Sequence, residues 1–257
     1  MAQARSHLFK FAAVACVVAA LAVSAAVLFT TDVRQLFGAT NSSARNDTEF
    51  DALFRNLRQE FPSQTRRLWA VVESGMLPIV EEDDPAHPAV ILLAAAQPGT
   101  HPATECLARR FAALVTASLH AQAEHTTYDC RSAADRDAAK SQIDTQLTRA
   151  FDAGTKSAVV LHLEQLPGQS AMIFYRFADN DNAPFKKVVI VLTLVLESAD
   201  IDAASESDSV VFDELRRVWS SSVDADQVDP LLSRIGNSVA FVRPEDAQVL
   251  AELDCSS

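Results

Sequence analysis

Three apolar runs constrain this chain more than any other feature, because each is as long as a β-strand and stays apolar over most of its length. A strand with one face in water alternates apolar and polar residues, whereas a strand covered on both faces does not. The runs are AVILLAAA at 89–96, SAVVLHLEQL at 157–166 and KVVIVLTLVLE at 187–197. Helical patterns separate them, so the sequence predicts a three-layer α/β domain with a largely parallel central sheet.

The segments between the runs carry apolar residues at spacings of three and four, which is typical of amphipathic helices. A helix that starts at Thr48 is expected to be followed by a second one over 63–74, which Gly75 ends. Asp229 is expected to cap a short helix that has Pro230 at its first position. The other predicted elements are helices over about 103–121, 135–153 and 208–219, and shorter strands over 125–130, 171–177 and 239–242.

Several classes of binding site are excluded by spacing and charge. The closest two of the six glycines, Gly154 and Gly168, lie fourteen positions apart. A dinucleotide loop needs glycines two and three apart, and a P-loop needs them five apart. No two histidines are four apart and no two cysteines form a CxxC pair, so no metal site is predicted. A net charge of −12 argues against nucleic acid as a partner.

Residues 11–29 form an uninterrupted segment without charges. As a helix, this segment would be about 28 Å long, close to the roughly 30 Å hydrocarbon core of a bilayer. Arg5 and Lys10 precede it, so the positive-inside rule predicts a cytosolic N-terminus at 1–10, a transmembrane helix at 11–29 and a luminal remainder. A signal peptide cleaved near Ala25 is the alternative, although the apolar core of a signal peptide normally spans about 7–15 residues.

Both interpretations place the bulk of the chain in a secretory compartment, with a linker at 30–47 and a folded domain at 48–257. Two N-glycosylation sequons, at Asn41 and Asn46, lie in or at the end of the linker and agree with this topology.

A secretory compartment also permits disulfides. Cys106 and Cys255 are the candidates for pairing, Cys16 lies in the apolar segment, and Cys130 is a candidate free thiol. Four unpaired cysteines fit the sequence equally well, because spacing does not reveal connectivity.

Few candidate catalytic or binding residues follow the predicted strands, and no spacing in the sequence suggests a nucleophile paired with a base. The loop QPGTHP at 97–102 has one glycine, two prolines and no lysine, so it cannot hold a triphosphate as a P-loop does. Glu164 follows the second run, and a lone glutamate is ordinarily solvated or ion-paired. Arg234 lies at the border of the apolar face of its predicted helix, where an arginine is ordinarily a solvated charge.

Four stretches carry a family resemblance. The most specific is SAVVLHLEQLPGQSAMIFYRFADNDNAPFKKVVIVLTLVLES at 157–198; the others are LRQEFPSQTRRLW at 57–69, PAVILLAAA at 88–96 and DPLLSRIGNSVAFVRPE at 229–245. Together they resemble the luminal domains of the torsin-interacting proteins, which are membrane-bound activators of torsin AAA+ ATPases. The resemblance covers about residues 50–257.

This resemblance implies an AAA+-like domain that has lost nucleotide binding, is not an enzyme and binds no cofactor, but activates an ATP-bound torsin. It implies that Arg234, in the motif Ser233-Arg234-Ile235, enters the ATP site of torsin in trans as an arginine finger. It also implies a disulfide between Cys106 and Cys255. Glu164 occupies a matching family position, to which we assign no separate role.

The family implies residence in the endoplasmic reticulum membrane, the inner nuclear membrane, or both. The ten residues before the apolar segment do not match the long nucleoplasmic region of the lamina-associated member, so lamin binding is not expected. The alternative function is a membrane-tethered luminal scaffold with the same fold and no activating arginine.

Overall fold

The structure of the protein, a computed structural model, describes residues 48–96, 99–132, 138–197, 206–253 and 255. Residues from Glu49 onward belong to one compact unit. Its helices and strands are, in chain order, α1 (Glu49–Glu60), α2 (Arg66–Glu81), β1 (Ala89–Ala95), α3 (His101–Ser118), β2 (Thr126–Asp129), α4 (Ala139–Asp152), β3 (Ser157–Leu161), α5 (Gly168–Ala171), α6 (Phe174–Phe177), β4 (Val189–Val195), α7 (Asp208–Trp219), α8 (Ala225–Ile235), β5 (Val239–Val242) and α9 (Ala247–Glu252).

One sheet of five parallel strands forms the centre of the described part, in the order β2–β3–β4–β1–β5. In its central pair, Ala89 of β1 lies opposite Val189 of β4, and the register continues to Ala95 opposite Val195. Helices connect the strands, as parallel pairing requires. The predicted three-layer α/β domain with a largely parallel sheet is confirmed, and this architecture fits an AAA+-like domain.

Each face of the sheet has its own core, which explains why β1, β3, β4 and β5 are apolar at nearly every position. Val90, Leu92 and Ala94 of β1 belong to the core that α4, α7 and α8 cover. Ile91 and Leu93, at the alternate positions, belong to the core that α1, α2 and α3 cover. Full burial of one leucine or isoleucine side chain contributes about 1.5–3 kcal/mol.

The prediction of a strand over 171–177 is wrong, because these residues lie mostly in the single-turn helices α5 and α6. Their aromatic side chains are nevertheless buried: Phe174 is 0% exposed and Phe177 is 1% exposed. The second apolar run also ends as a strand at Leu161 rather than at residue 166. There, His162 adopts a left-handed backbone conformation (φ 61°) and opens the 3-10 turn Leu163–Gln165.

Gly75 does not end the second helix, as the sequence had indicated, because α2 continues through it to Glu81. A Cβ atom built at Gly75 would collide with the side chain of Ile91 and come within 3.0 Å of Ser238 Oγ. The glycine therefore allows α2 to lie close to β1 and to the start of β5.

The predicted cap at Asp229 is also wrong. The helix α8 begins one turn earlier, with Asp224 at its N-cap position, and contains Pro230 in its interior. Asp229 is instead a helical residue whose carboxylate accepts a hydrogen bond from Nε of Arg216 at 2.7 Å.

Across the part of the chain that the structure describes, no helix combines the length and the apolar character needed to cross a membrane. The predicted transmembrane segment at 11–29, the linker at 30–47 and the sequons at Asn41 and Asn46 lie outside the described residues.

Candidate functional site

Arg234 lies in the last turn of α8, at the edge of the sheet where the strands begin. Its side chain is 30% exposed. It helps to line a cleft of about 180 Å³ with residues that precede or open two neighbouring strands: His87, Pro88, Ala89, Asn237 and Ser238. The guanidinium is therefore at the surface, beside a concave region that another molecule can enter.

Three contacts hold the guanidinium of Arg234 in place. Its Cζ atom lies 4.9 Å from the centre of the Tyr175 ring, in the geometry of a cation–π interaction. Nη2 lies 3.7 Å from Oδ2 of Asp179, and Nη1 donates to the carbonyl oxygen of Pro230 at 3.1 Å. These contacts leave the guanidinium oriented but not enclosed, so several of its five N–H donors can reach a partner.

Tyr175 is itself fixed against the same helix. Its hydroxyl donates to the carbonyl oxygen of Gln227 at 2.6 Å, two turns before Arg234 on α8. Asp179 is engaged mainly by its own turn, where its Oδ1 accepts from the backbone N–H groups of Asp181 and Asn182. Those hydrogen bonds hold the pKa of the Asp179 carboxyl below its usual value.

The opposite edge, where the strands end, is the place at which α/β sheets usually bind ligands. A network of charged side chains fills it. The ring of His162 lies between two carboxylates, with Nε2 2.9 Å from Oε1 of Glu105 and Nδ1 3.1 Å from Oε1 of Glu164. His101 stacks on His162 with ring centres 4.6 Å apart, and Nη2 of Arg131 lies 3.3 Å from Oε1 of Glu105.

The network sets the protonation of its members. Burial lowers the pKa of His162, but the hydrogen bonds to Glu105 and Glu164 outweigh burial and raise that pKa to about 9. The same hydrogen bond from His162 lowers the pKa of Glu105. The pKa of His101 is lowered by burial and then by the charge of His162. Near neutral pH, His162 is therefore an imidazolium between two carboxylates.

The two edges of the sheet are well separated. The strand β1 has seven residues, which at about 3.3 Å per residue puts its ends roughly 20 Å apart. A phosphate bound where the strands end would lie far outside the reach of Arg234. Arg234 is therefore not placed to act on a phosphate bound at the strand-end edge of its own domain.

A disulfide joins Cys106 of α3 to Cys255, and the two Cα atoms are 5.3 Å apart. This is the pairing that the family resemblance implied. Nη2 of Arg110 also donates to the carbonyl oxygen of Leu253 at 2.9 Å, so the C-terminal segment is attached to α3 twice. Cys130 is a buried free thiol whose pKa burial raises.

The sequence did not reveal the partners of its candidate residues. Tyr175 precedes Arg234 by fifty-nine positions, and no periodic pattern relates the two. His162 and Glu105 are likewise distant in sequence. One local signal was available, since His101 and Glu105 lie four positions apart at the start of α3 and share one face of that helix.

Comparison with known proteins gives a consistent result. The family model described as the AAA+ activator domain of lamina-associated polypeptide 1 matches residues 37–254. Torsin-1A-interacting protein 1 of Rattus norvegicus is 32% identical over 211 residues, which are 77% of this chain and 36% of that protein. The Mus musculus protein of the same name is 31% identical over 210 residues, and the Homo sapiens protein 29% over 211. This chain thus matches about a third of the length of these relatives.

Proposed function

The chain belongs to the family of the lamina-associated polypeptide 1 AAA+ activator domain, and on that premise we propose that it binds a torsin ATPase and stimulates ATP hydrolysis by that partner. In this proposal Arg234 acts in trans as an arginine finger, and the chain itself hydrolyses nothing. The observation that carries the proposal is the position of Arg234: it is partly exposed beside a cleft, at the sheet edge opposite to the one where α/β domains usually bind their ligands.

The partner follows from the relatives, which are named for their interaction with torsin-1A. The proposed effect on ATP hydrolysis follows from the properties of the Arg234 guanidinium. A planar, permanently charged group that approaches the γ-phosphate neutralises the charge that develops during transfer, and in comparable enzymes this is worth about 10³–10⁵ in rate. The contacts with Tyr175 and Asp179 support this role, because they orient the side chain before a partner arrives.

The opposite edge supports the proposal that the domain is not a nucleotidase. A nucleotide phosphate there would face the carboxylates of Glu105 and Glu164, which repel an anion. Arg131 lies nearby, but its guanidinium is already bidentate on Asp129, with Nε donating to Oδ1 and Nη2 to Oδ2. Among the described residues at this edge, Arg109, Arg131 and His162 are all paired with carboxylates, and the loop 97–102 contains no lysine for a triphosphate.

The proposed topology extends the sequence analysis. Residues 1–10 are cytosolic, 11–29 cross the membrane, 30–47 link it to the activator domain at 48–257, and the domain lies in the lumen of the endoplasmic reticulum or the nuclear envelope. Treatment of intact microsomes with protease, followed by glycosidase, checks this arrangement. We expect the domain to be protected from the protease. We also expect glycosidase to shift its mobility, and Asn41→Gln together with Asn46→Gln to abolish that shift. Digestion of the domain in sealed vesicles would contradict this topology.

The deciding experiment measures the release of phosphate from ATP by torsin-1A, in the presence of the full chain in detergent. Wild type is expected to stimulate hydrolysis, and Arg234→Ala and Arg234→Lys to leave torsin at its basal rate, because a lysine ammonium does not reproduce the planar fork. Arg58→Ala, which removes an exposed arginine from the end of α1, is the matched control and retains full stimulation.

Binding is measured in parallel, by co-purification with ATP-bound torsin-1A. Binding without stimulation by the wild-type chain would favour the scaffold function. Stimulation that survives both substitutions of Arg234 would exclude the arginine-finger mechanism while leaving torsin as the partner.

A further inference from the structure

We propose that the sheet edge where the strands end carries a Zn²⁺ site, with His101, Glu105 and His162 as its protein ligands and Glu164 as a supporting carboxylate. This site lies at the edge of the sheet opposite to Arg234. The spacing of histidines in the sequence predicted no metal, because the ligands come from two segments that only the fold brings together.

The donor atoms already form a compact set. Nε2 of His162 lies 2.9 Å from Oε1 of Glu105, Nδ1 of His101 lies 3.5 Å from the same oxygen, and all three donors fall within 4.8 Å of one another. Around tetrahedral zinc, with metal–ligand bonds of about 2.0–2.2 Å, neighbouring donors are roughly 3.3–3.6 Å apart. The two distances to Oε1 of Glu105 lie near this range. Because the rings of His101 and His162 are stacked, with centres 4.6 Å apart, the His101 ring has to turn for both nitrogens to face one ion.

The backbone holds the ligands on two rigid elements. His101 and Glu105 stand one turn apart at the start of α3, on the same face of the helix. His162 follows β3 in a left-handed conformation that is uncommon for a residue with a Cβ, and its N–H donates to Oγ1 of Thr193 at 2.9 Å. This conformation directs the ring towards α3.

A supporting shell is also present. Nδ1 of His162 lies 3.1 Å from Oε1 of Glu164, whose other oxygen accepts a hydrogen bond from the backbone N–H of Val195 at 3.0 Å. A histidine that binds a metal through one nitrogen almost always donates its other N–H to a carboxylate, carbonyl or water. The side chains of His162 and Glu164 are only 3% and 8% exposed, so this arrangement is shielded from water.

Nearby arginines do not block the ion. Arg131 approaches Oε1 of Glu105 at 3.3 Å, but its closer partner is Asp129, at 2.8 Å, which it keeps if the metal takes that oxygen. Arg109 contacts Oε2 of Glu105, the oxygen that the metal does not need. When zinc binds, the proton between His162 and Glu105 leaves to solvent and the ion takes its place.

The ligand types favour zinc over the common alkaline-earth ions. Two imidazoles and one carboxylate suit Zn²⁺, whereas Mg²⁺ and Ca²⁺ prefer oxygen ligands alone. Three protein ligands leave a fourth position for water, on the side where the His101 side chain is 38% exposed.

The test uses the full chain in detergent, without an added histidine tag, stripped with EDTA and dialysed. Binding of Zn²⁺ is measured by calorimetry, and binding of Co²⁺ by its visible absorption. The intensity of the Co²⁺ bands reports tetrahedral geometry, and the absence of a thiolate charge-transfer band indicates nitrogen and oxygen ligands. One ion per chain is expected. His101→Ala and Glu105→Gln each weaken binding at least 100-fold, and Glu164→Gln weakens it about 10–100-fold, as loss of a supporting carboxylate does.

His125→Ala is the matched control, because His125 lies just before β2, at the opposite edge, and this variant binds metal as wild type does. Circular dichroism checks that each variant is folded, and the conservative Glu105→Gln change tests the site even if His101→Ala unfolds. No binding to the wild-type chain, or equal binding by wild type and Glu105→Gln, would overturn the proposal and leave the cluster as a metal-free ion-pair network.

Discussion

The guanidinium of Arg234 lies over the ring of Tyr175, with 4.9 Å between Cζ and the ring centre. Tyr175 is fixed by its hydroxyl to the carbonyl oxygen of Gln227 on α8, the helix that also carries Arg234. The ring is therefore a platform that holds the arginine at the mouth of the cleft. In the proposed mechanism, this preorientation lowers the entropic cost of bringing the guanidinium to a phosphate.

Replacement of the platform is expected to weaken activation without abolishing it. Tyr175→Leu removes the cation–π contact, and its usual strength of about 0.5–2 kcal/mol predicts a 2- to 30-fold loss of torsin stimulation. Tyr175→Phe keeps the ring and should retain more stimulation than Tyr175→Leu. Phosphate release at saturating concentrations of each variant measures the effect; equal activity of wild type and Tyr175→Leu would show that the platform has no role.

Asp179 provides a contrast, because its carboxylate lies 3.7 Å from Arg234 and is engaged mainly by its own turn. Asp179→Asn is expected to change stimulation by no more than about twofold, because the two groups are 3.7 Å apart near the surface and such ion pairs contribute little. The same phosphate-release assay checks this. A loss as large as that of Arg234→Ala would make Asp179 an essential partner of the arginine.

Gly75→Ala is expected to destabilise the domain by about 1–3 kcal/mol, although alanine favours helix formation. The added methyl group would overlap the buried side chain of Ile91 and press on Ser238. Urea denaturation measures the change in the free energy of unfolding. Ser74→Ala, at the adjacent exposed position of α2, is the control and should be neutral or slightly stabilising; a stable Gly75→Ala variant would mean that α2 can move away from the sheet.

Gln64 is expected to be as important for stability as a core residue. Its buried amide donates to the carbonyl oxygen of Arg243 and to Oε1 of Glu245, and its own oxygen accepts from the N–H of Arg243, all at 2.9 Å. Gln64→Ala therefore costs about 2–3 kcal/mol in the free energy of unfolding, at roughly 1 kcal/mol per hydrogen bond. Gln59→Ala, at an exposed position of α1, should stay within about 0.5 kcal/mol in the same denaturation experiment.

Loss of the disulfide is expected to lower the free energy of unfolding by about 2–5 kcal/mol, because the bridge closes a loop between residues 149 positions apart. Thermal unfolding of Cys255→Ser against wild type measures this change. A reductant should lower the melting temperature of wild type and leave that of Cys255→Ser unchanged. Equal stability of the two proteins would show that Arg110 and packing alone hold the C-terminal segment.

The sequence predicted well those elements whose pattern of apolar residues is compatible with only one type of secondary structure. The strand β5 is observed at Val239–Val242 and the helix α7 at Asp208–Trp219, both with the predicted bounds. A strand buried on both faces has to be apolar at successive positions, and a helix that packs on a sheet has to place its apolar residues three and four apart.

The wrong predictions concern residues whose local secondary-structure preference is overridden by packing against residues that are distant in sequence. Gly75 was predicted to end the second helix, yet α2 continues to Glu81. The glycine is needed there because Ile91 leaves no room for a side chain. Pro230 looked like a first helical residue, yet α8 includes an earlier turn. The apolar stretch around Phe174 looked like a strand, yet it packs as two short helices against the core.

The sequence by itself determined the fold class, the absence of nucleotide-binding motifs and, through its family resemblance, the choice of Arg234 and of the Cys106–Cys255 pair. Burial patterns and motifs are local, so they can be detected along the chain. Only the tertiary structure placed Tyr175 under Arg234 and His162 between two carboxylates. These contacts join residues that are far apart in sequence, and their energies depend on distances and burial that exist only once the sheet and its helices have packed.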